Sequence, residues 1–357
     1  MTNLQRFQAA LPSLEVDGAI ISSEINQRYL SDFHYSDGYL LITPEKAYLL
    51  ADFRYIEAAR ASVAAFEIIR PEGGMLGALY ELIHLNGLKT VALEDASVTC
   101  ADFQLFSKKL TCCTLSTGAS ELLRDLRMIK TPDELERIAR AQALTDAAFE
   151  HILGYISTDV TERDVALELE FFMRRHGADG IAFDTIAVSG AASSLPHGVP
   201  SDVKLRHGFL TMDFGAKYNG YCSDMTRTVV IGKADADMRK VYNTVLTAQR
   251  AALERIHEGM RCRDADEIAR SIIRNAGYGA CFGHSLGHGV GMYIHEAPSL
   301  SSRADENSYL KRGNVVTVEP GIYIEGKYGC RIEDMIAIDH DGQIRNFTKS
   351  PKELIEI

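Results

Sequence analysis

A small α/β domain followed by a larger α+β domain is the architecture expected of this chain, on three observations. Its 357 residues exceed what one hydrophobic core ordinarily organises, so two domains are the default. Residues 1 to about 120 alternate short apolar runs with segments of helical composition, the pattern of a mixed sheet covered by helices. Beyond them, long helical segments and hairpin-like strands come in successive blocks, which is the α+β pattern. The expected domains are residues 1–124 and 125–357.

The elements follow in order. Asp17-Gly18-Ala19-Ile20-Ile21 reads as a strand, and Gly38 to Ile42 with Ala47 to Leu50 as a hairpin about Thr43-Pro44-Glu45-Lys46. Arg54 to Val63 has helical composition, and Val91 to Glu94 is another strand. Thr131-Pro132-Asp133-Glu134 is a strong helix start: Thr131 caps, Pro132 suits the first helical position, and Glu134 closes a capping box. That helix runs to about Ile152. Three more are expected, from Thr161 to Gly177, Met238 to Gly259 and Asp264 to Gly277. Each is expected to end on a glycine in the left-handed conformation.

Composition excludes several classes of function. Hydrophobic residues make up 46% and charged residues 24%, as in a soluble globular protein. No apolar run is long enough to cross a bilayer, and the N-terminus lacks the pattern of a secretory signal. The net charge of -11, without a basic tract, argues against a nucleic-acid surface. Seven cysteines at irregular spacing, with no CxxC pair, argue against a thiolate zinc site and for reduced thiols in a cytoplasmic protein.

Asp213, Asp224, His288, Glu319 and Glu333 carry the chemistry. Phe209 to Phe214 alternates with period two, placing Thr211 and Asp213 on one face and Leu210, Met212 and Phe214 on the other. After the turn sequence Lys217-Tyr218-Asn219-Gly220 the chain returns as Tyr221 to Ile231. A two-residue or a four-residue turn puts Asp224 on the face of Asp213, because parity is preserved across the pair. Gly287-His288-Gly289-Val290-Gly291 is too glycine-rich for a helix and reads as a loop, so His284 and His288 are not a helical zinc pair. Glu319 ends a β-branched run stopped by Pro320-Gly321, and Arg331 and Glu333 share one strand face with Ile332 opposite. Each residue alone also fits a solvated face or a structural ion pair. Together, hard oxygen ligands and one histidine suit two divalent cations able to activate a water against a carbonyl.

These segments resemble a known family. Thr211-Met212-Asp213-Phe214-Gly215 with Ser223-Asp224-Met225-Thr226-Arg227-Thr228, then Gly287-His288-Gly289-Val290-Gly291, Val318-Glu319-Pro320-Gly321-Ile322-Tyr323 and Arg331-Ile332-Glu333-Asp334, are similar to the motifs of the pita-bread metallopeptidases. The N-terminal part, with Asp52-Phe53-Arg54-Tyr55, resembles the smaller domain of the creatinase, prolidase and aminopeptidase P branch. Methionine aminopeptidases, which usually lack that domain, are a poor fit. The resemblance implies a creatinase-like α/β domain before a pita-bread catalytic domain. It implies that Asp224 and Glu333 bridge two metals, that Asp213 completes one shell, and that His288 and Glu319 complete the other. Manganese is expected, with cobalt or zinc as options. His197, His284 and His295 match active-site histidines, Tyr323 and Arg331 match positions near the site, and Phe183-Asp184-Thr185 matches a substrate-side strand.

The implied activity is hydrolysis of the bond before proline in short Xaa-Pro peptides, with Glu319 as proton carrier and His295 or a metal stabilising the oxyanion. A dipeptidase (prolidase) is favoured narrowly over an aminopeptidase P acting on longer peptides. The intact ligand set argues against a creatinase-like amidinohydrolase and against a non-catalytic binding module. A homodimer is expected from the family alone.

Overall fold

The computed structural model of the protein describes residues 1–357 and divides them into two compact units, Met1–Arg127 and Met128–Ile357. The division falls at the end of a helix, Ala119–Met128, within which the expected 124/125 boundary also lies.

The first unit contains the helices α1 (Asn3–Ala10), α2 (Glu24–Ser31), α3 (Phe53–Ser62), α4 (Met75–Leu85), α5 (Cys100–Lys109) and α6 (Ala119–Met128). Its strands are β1 (Gly18–Ile21), β2 (Tyr39–Ile42), β3 (Ala47–Leu50), β4 (Glu67–Ile69), β5 (Thr90–Leu93) and β6 (Thr114–Ser116). They form one sheet in the order β4-β3-β2-β1-β5-β6. β1 to β3 are antiparallel neighbours, whereas β3–β4, β1–β5 and β5–β6 are parallel, which makes the mixed sheet expected. Ile20, Leu41, Leu50, Val91 and Leu93 are buried with Leu79, Ile83 and Phe106 of the helices in one core.

The second unit has four principal helices, α7 (Pro132–Leu153), α8 (Glu162–Arg175), α9 (Ala236–Arg255) and α10 (Cys262–Ile273). Its strands are β7 (Gly180–Ile181), β8 (Ile186–Ser189), β9 (Gly208–Phe214), β10 (Ala216–Tyr218), β11 (Tyr221–Cys222), β12 (Met225–Ile231), β13 (Gly287–Gly289), β14 (Glu296–Leu300), β15 (Val315–Val318), β16 (Gly321–Ile324), β17 (Tyr328–Arg331), β18 (Asp334–Ile338) and β19 (Ile344–Asn346). The Thr131–Glu134 capping box opens α7 as expected, with both reciprocal bonds formed. Glycine termination is less regular than expected. Gly177 after α8 and Gly277 beyond α10 have φ of 107° and 90°. Gly154 after α7 is right-handed at φ −81°, and α9 stops at Arg255 on an extended Ile256, before Gly259. Here a buried, extended Ile256, not a left-handed glycine, follows the last helical residue.

Two cores support two sheets, one beneath β9 and β12 and one beneath β15 and β18. Leu210, Met212 and Phe214 of β9, with Met225, Val229 and Ile231 of β12, pack against Phe149 and Ile152 of α7 and Leu169 and Met173 of α8. α9 and α10 pack on the other sheet, where Val316, Val318, Ile336 and Ile338 meet Val241, Val245, Ala265 and Ile273. The β9 and β12 face that does not join the α7/α8 core carries Thr211, Asp213, Thr226 and Thr228. That face is where the polar side chains gather.

Candidate metal centre and active site

β9 and β12 are antiparallel with Asp213 opposite Thr226. The same register continues through β10 and β11, where Tyr218 faces Tyr221 across the turn Asn219-Gly220. Both turn residues have positive φ, 47° and 85°, as a type I′ turn requires. The two-residue turn is therefore the one that forms, and Asp213 and Asp224 share a face. Gly215 lies at the junction of β9 and β10; a Cβ there would sit 2.0 Å from the Ser223 carbonyl oxygen. Only glycine lets the two chains close at the point where Asp224 turns inward.

His288 lies on a strand, not in the expected loop. β13 pairs with β14 and β15, and its register shifts between His288 and Gly289. A Cβ on Gly287 would lie 2.0 Å from the Thr317 carbonyl oxygen, so glycine here serves close strand approach. Glu319 follows β15 directly. Arg331 ends β17, Glu333 precedes β18, and Ile332 between them enters the apolar core. Phe183-Asp184-Thr185 was expected as a strand. It is instead the irregular segment joining β7 to β8, because pairing with β9 starts only at Ile186, opposite Asp213.

The side chains converge. One ligand atom from each of Asp224, His288 and Glu333 lies within 4.8 Å of the others. His288 Nε2 is 3.5 Å from Asp224 Oδ2 and 3.4 Å from Glu319 Oε1. The buried guanidinium of Arg331 donates to Asp213 Oδ2 at 2.5 Å, to Thr226 Oγ1 at 2.9 Å and to the Tyr323 hydroxyl at 2.7 Å. The Tyr323 hydroxyl is 3.0 Å from His284 Nε2, and the rings of His288 and His295 stand edge to face at 4.3 Å. A cavity of about 560 Å³ opens onto this group, and Phe183, His197, His284, His295, Asp213, Asp224, His288, Glu319, Arg331 and Glu333 all line it. Tyr323 stands behind His284 and Arg331.

Three residues that the sequence reading left without a role fix this arrangement. The Thr226 hydroxyl donates to Glu333 Oε2 at 2.7 Å. Thr317 Oγ1 accepts from the His288 N–H at 3.0 Å and donates to Glu319 Oε1 at 3.1 Å. Arg227, fully buried, donates to the Glu333 carbonyl at 2.5 Å, to Asp334 Oδ1 at 2.8 Å and to the Ser350 carbonyl at 2.8 Å. Thr226 has the same strand parity as Asp224, which is the sequence signal that points to it. Arg227→Met removes one of two charged partners of the buried Asp334 carboxylate, Lys352 being the other, and strips the Glu333 carbonyl of its side-chain donor. It is expected to destabilise the protein by about 2–3 kcal/mol in urea unfolding. A loss under about 1 kcal/mol contradicts that role.

The electrostatics demand a counter-charge. Burial, then Glu333, Asp213 and Glu319, hold Asp224 well above the ordinary carboxylate range. Burial and neighbouring carboxylates do the same to Glu333. Burial pushes Glu319 up to about 8, against the opposing pull of Arg331. Burial lowers His284 to about 4 and also lowers His288 and His295, which keeps the imidazoles neutral. Asp213 Oδ1 is buried and has no hydrogen-bond partner. Four carboxylates beside one arginine, an orphaned carboxylate oxygen and a neutral imidazole form a donor set that fits divalent cations.

Fold and site together define a two-domain metallohydrolase whose catalytic unit is of the pita-bread type. The chain matches the metallopeptidase family M24 over residues 136–340 and the creatinase/prolidase N-terminal domain over residues 3–129. It belongs to that metallopeptidase family, in the creatinase, prolidase and aminopeptidase P branch, and the family implies divalent metal ions. It is 36% identical over 354 residues to an Xaa-Pro dipeptidase of Pyrococcus furiosus, covering 99% of each chain. A solved Xaa-Pro dipeptidase from Bacillus anthracis is similar at TM-score 0.95 and 40% identity, covering 99% of both chains. A solved X-Pro aminopeptidase from Thermotoga maritima is similar at TM-score 0.92 and 35% identity, covering 98% of this chain and all of that one. No helix is long and apolar enough to cross a membrane.

Proposed function

We propose that this metallopeptidase hydrolyses the peptide bond preceding proline in Xaa-Pro dipeptides and short Xaa-Pro peptides, with dipeptidase activity favoured and residues 125–357 carrying the chemistry. One observation carries the reading: four carboxylates and a neutral imidazole surround one end of a cavity whose walls hold three further histidines. The similarity to proteins named Xaa-Pro dipeptidase supports the substrate class. In this reading Asp213, Asp224, His288, Glu319 and Glu333 would hold two ions. Manganese is the expected metal, with cobalt or zinc as alternatives. Two such ions, when bound, would supply Lewis acidity toward a water and the scissile carbonyl.

The remaining steps belong to the chain. Glu319, oriented by the Thr317 hydroxyl, takes a proton at its carboxylate and passes it to the leaving imino nitrogen. His295 offers an imidazole N–H to the developing oxyanion. Arg331 holds Asp213 and Tyr323, and Tyr323 holds His284. His197, His284, His295 and Phe183 flank the substrate. The nitrogen of the cleaved bond is tertiary in an Xaa-Pro substrate, so the site needs no acceptor for an N–H there. A cytoplasmic homodimer belongs to the same reading, and its seven unpaired cysteines suit a reducing compartment. Manganese-loaded protein is expected to release proline from Ala-Pro, and chelation by EDTA to abolish that release. Absence of proline release from Ala-Pro and of alanine release from Ala-Pro-Ala, under full metal loading, ends the reading.

A further inference from the structure

We infer that Asp266 and Arg270 are positioning residues for the reaction: from α10 they fix the irregular segment 282–286, and with it His284 in the cavity wall and the backbone of Glu319. The inference rests on the Xaa-Pro reading above, in which His284 flanks the substrate. It adds to that reading two residues that do not themselves line the cavity.

Asp266 and Arg270 stand about one turn apart on α10, so their side chains meet on one face of the helix. The Asp266 carboxylate is fully buried and the Arg270 side chain is 20% exposed. Arg270 Nε donates to Asp266 Oδ2 at 2.6 Å and Nη2 donates to Oδ1 at 2.8 Å. A bidentate pair of this kind fixes the plane of the guanidinium. Its other N–H groups reach a second element. Nη1 donates to the Phe282 carbonyl at 2.9 Å, and Nη2 donates to the His284 carbonyl at 2.7 Å. The guanidinium carbon also lies 4.3 Å from the centre of the Phe282 ring. Asp266 Oδ1 accepts from the Leu286 N–H at 3.0 Å, a donor shared with the Leu300 carbonyl.

An ion pair that stabilised only its own helix would make no bonds beyond it. Residues 282–286 belong to no helix or strand, so their inward backbone groups need partners from elsewhere. Arg270 and Asp266 supply them at residues 282, 284 and 286, around the residue that enters the cavity. The His284 ring stands edge to face with Phe282 at 5.1 Å, and its Nε2 is 3.0 Å from the Tyr323 hydroxyl. The Leu286 carbonyl accepts from the Glu319 N–H at 2.8 Å, which carries the same anchor to the proton carrier. Lysine at position 270 would keep the charge, but a point ammonium cannot serve Asp266 and both carbonyls together.

The test is a double-mutant cycle on the manganese-loaded full chain with Ala-Pro, using R270K, H284A and the pair combined. R270K is expected to raise KM about tenfold, because a displaced His284 no longer flanks the substrate. With H284A already present, R270K is expected to change KM less than about threefold. A merely structural residue would reduce the folded fraction, lowering kcat and leaving KM unchanged. D266N is expected to show the same pattern as R270K and takes its place if that variant does not fold. Hydrogen exchange is the second measurement: in R270K the amides of Leu286 and Glu319 are expected to exchange at least about tenfold faster, with the interior of α9 unchanged. An unchanged KM in R270K, an equal rise in KM with and without H284A, or unchanged exchange at Leu286 and Glu319 overturns the inference and leaves the Xaa-Pro reading standing. Failure of the unsubstituted chain to hydrolyse Ala-Pro overturns that reading and this inference with it.

Discussion

Glu319→Gln is expected to lower kcat on Ala-Pro by about 10²–10⁴ and to reduce the bound metal per chain. Glutamine keeps the size of glutamate and can still accept from the Thr317 hydroxyl, so the strand end is preserved. It cannot take up a proton at the carboxyl and offers a cation only a neutral oxygen. Steady-state kinetics together with metal analysis of the dialysed protein check both effects. The fold has its own control, since metal-free Glu319→Gln lacks one buried acid and is expected to melt no lower than the metal-free parent at pH 8. Near-normal turnover at full metal content would remove Glu319 from the chemistry.

The second large effect is a stability that falls with rising pH when metal is absent. Glu319 is raised from 4.5 to about 8 by burial. A group raised in this way stabilises the fold below its unfolded value, and that contribution is lost as the pH climbs through its folded value. Asp224 and Glu333 are raised too, by burial and by the neighbouring carboxylates, and act in the same direction. His284, His288 and His295 act oppositely. Their folded values are depressed, so they destabilise as the pH falls through the ordinary imidazole range near 6.5. At pH 6.5 these histidines are about half protonated in the unfolded chain, so their neutralisation by pH 8 offsets the trend by about 0.4 kcal/mol each, which the three raised carboxylates together outweigh. Glu319 by itself then costs about 1.5 kcal/mol across this window, a drop of a few degrees in Tm. Divalent manganese is expected to flatten or reverse the trend by pairing with the ionised carboxylates. Calorimetry with EDTA and with manganese at pH 6.5 and 8 is the measurement. A metal-free protein more stable at pH 8 than at pH 6.5 contradicts this account of the centre.

Much of the site was legible because strand periodicity is a local property. The alternation of Phe209 to Phe214 and the even-length turn at Asn219-Gly220 place Asp213 and Asp224 on one face, and the observed register agrees. Glu319 at the end of an apolar strand, and Arg331 and Glu333 flanking an apolar Ile332, were likewise readable from short windows. The capping box at Thr131 involves residues three apart and formed as expected.

Other features depend on partners from nearly thirty to more than a hundred positions away, and no short window contains them. Thr226 bonds Glu333 and Arg331, and Arg227 bonds Asp334, across separations of 105 to 107 residues. His288 became a strand residue because the flanking glycines admit the backbone of Thr317. Phe183-Asp184-Thr185 stayed irregular because β9 offers pairing only from Ile186 onward. The chain by itself determined which side chains are acidic, which face of each strand they occupy and where the helices begin. The tertiary structure alone decided which hydroxyls and guanidinium groups hold those acids and how strongly burial shifts them. Periodicity and caps act over a few residues, whereas desolvation and cross-strand hydrogen bonds exist only once distant segments have packed.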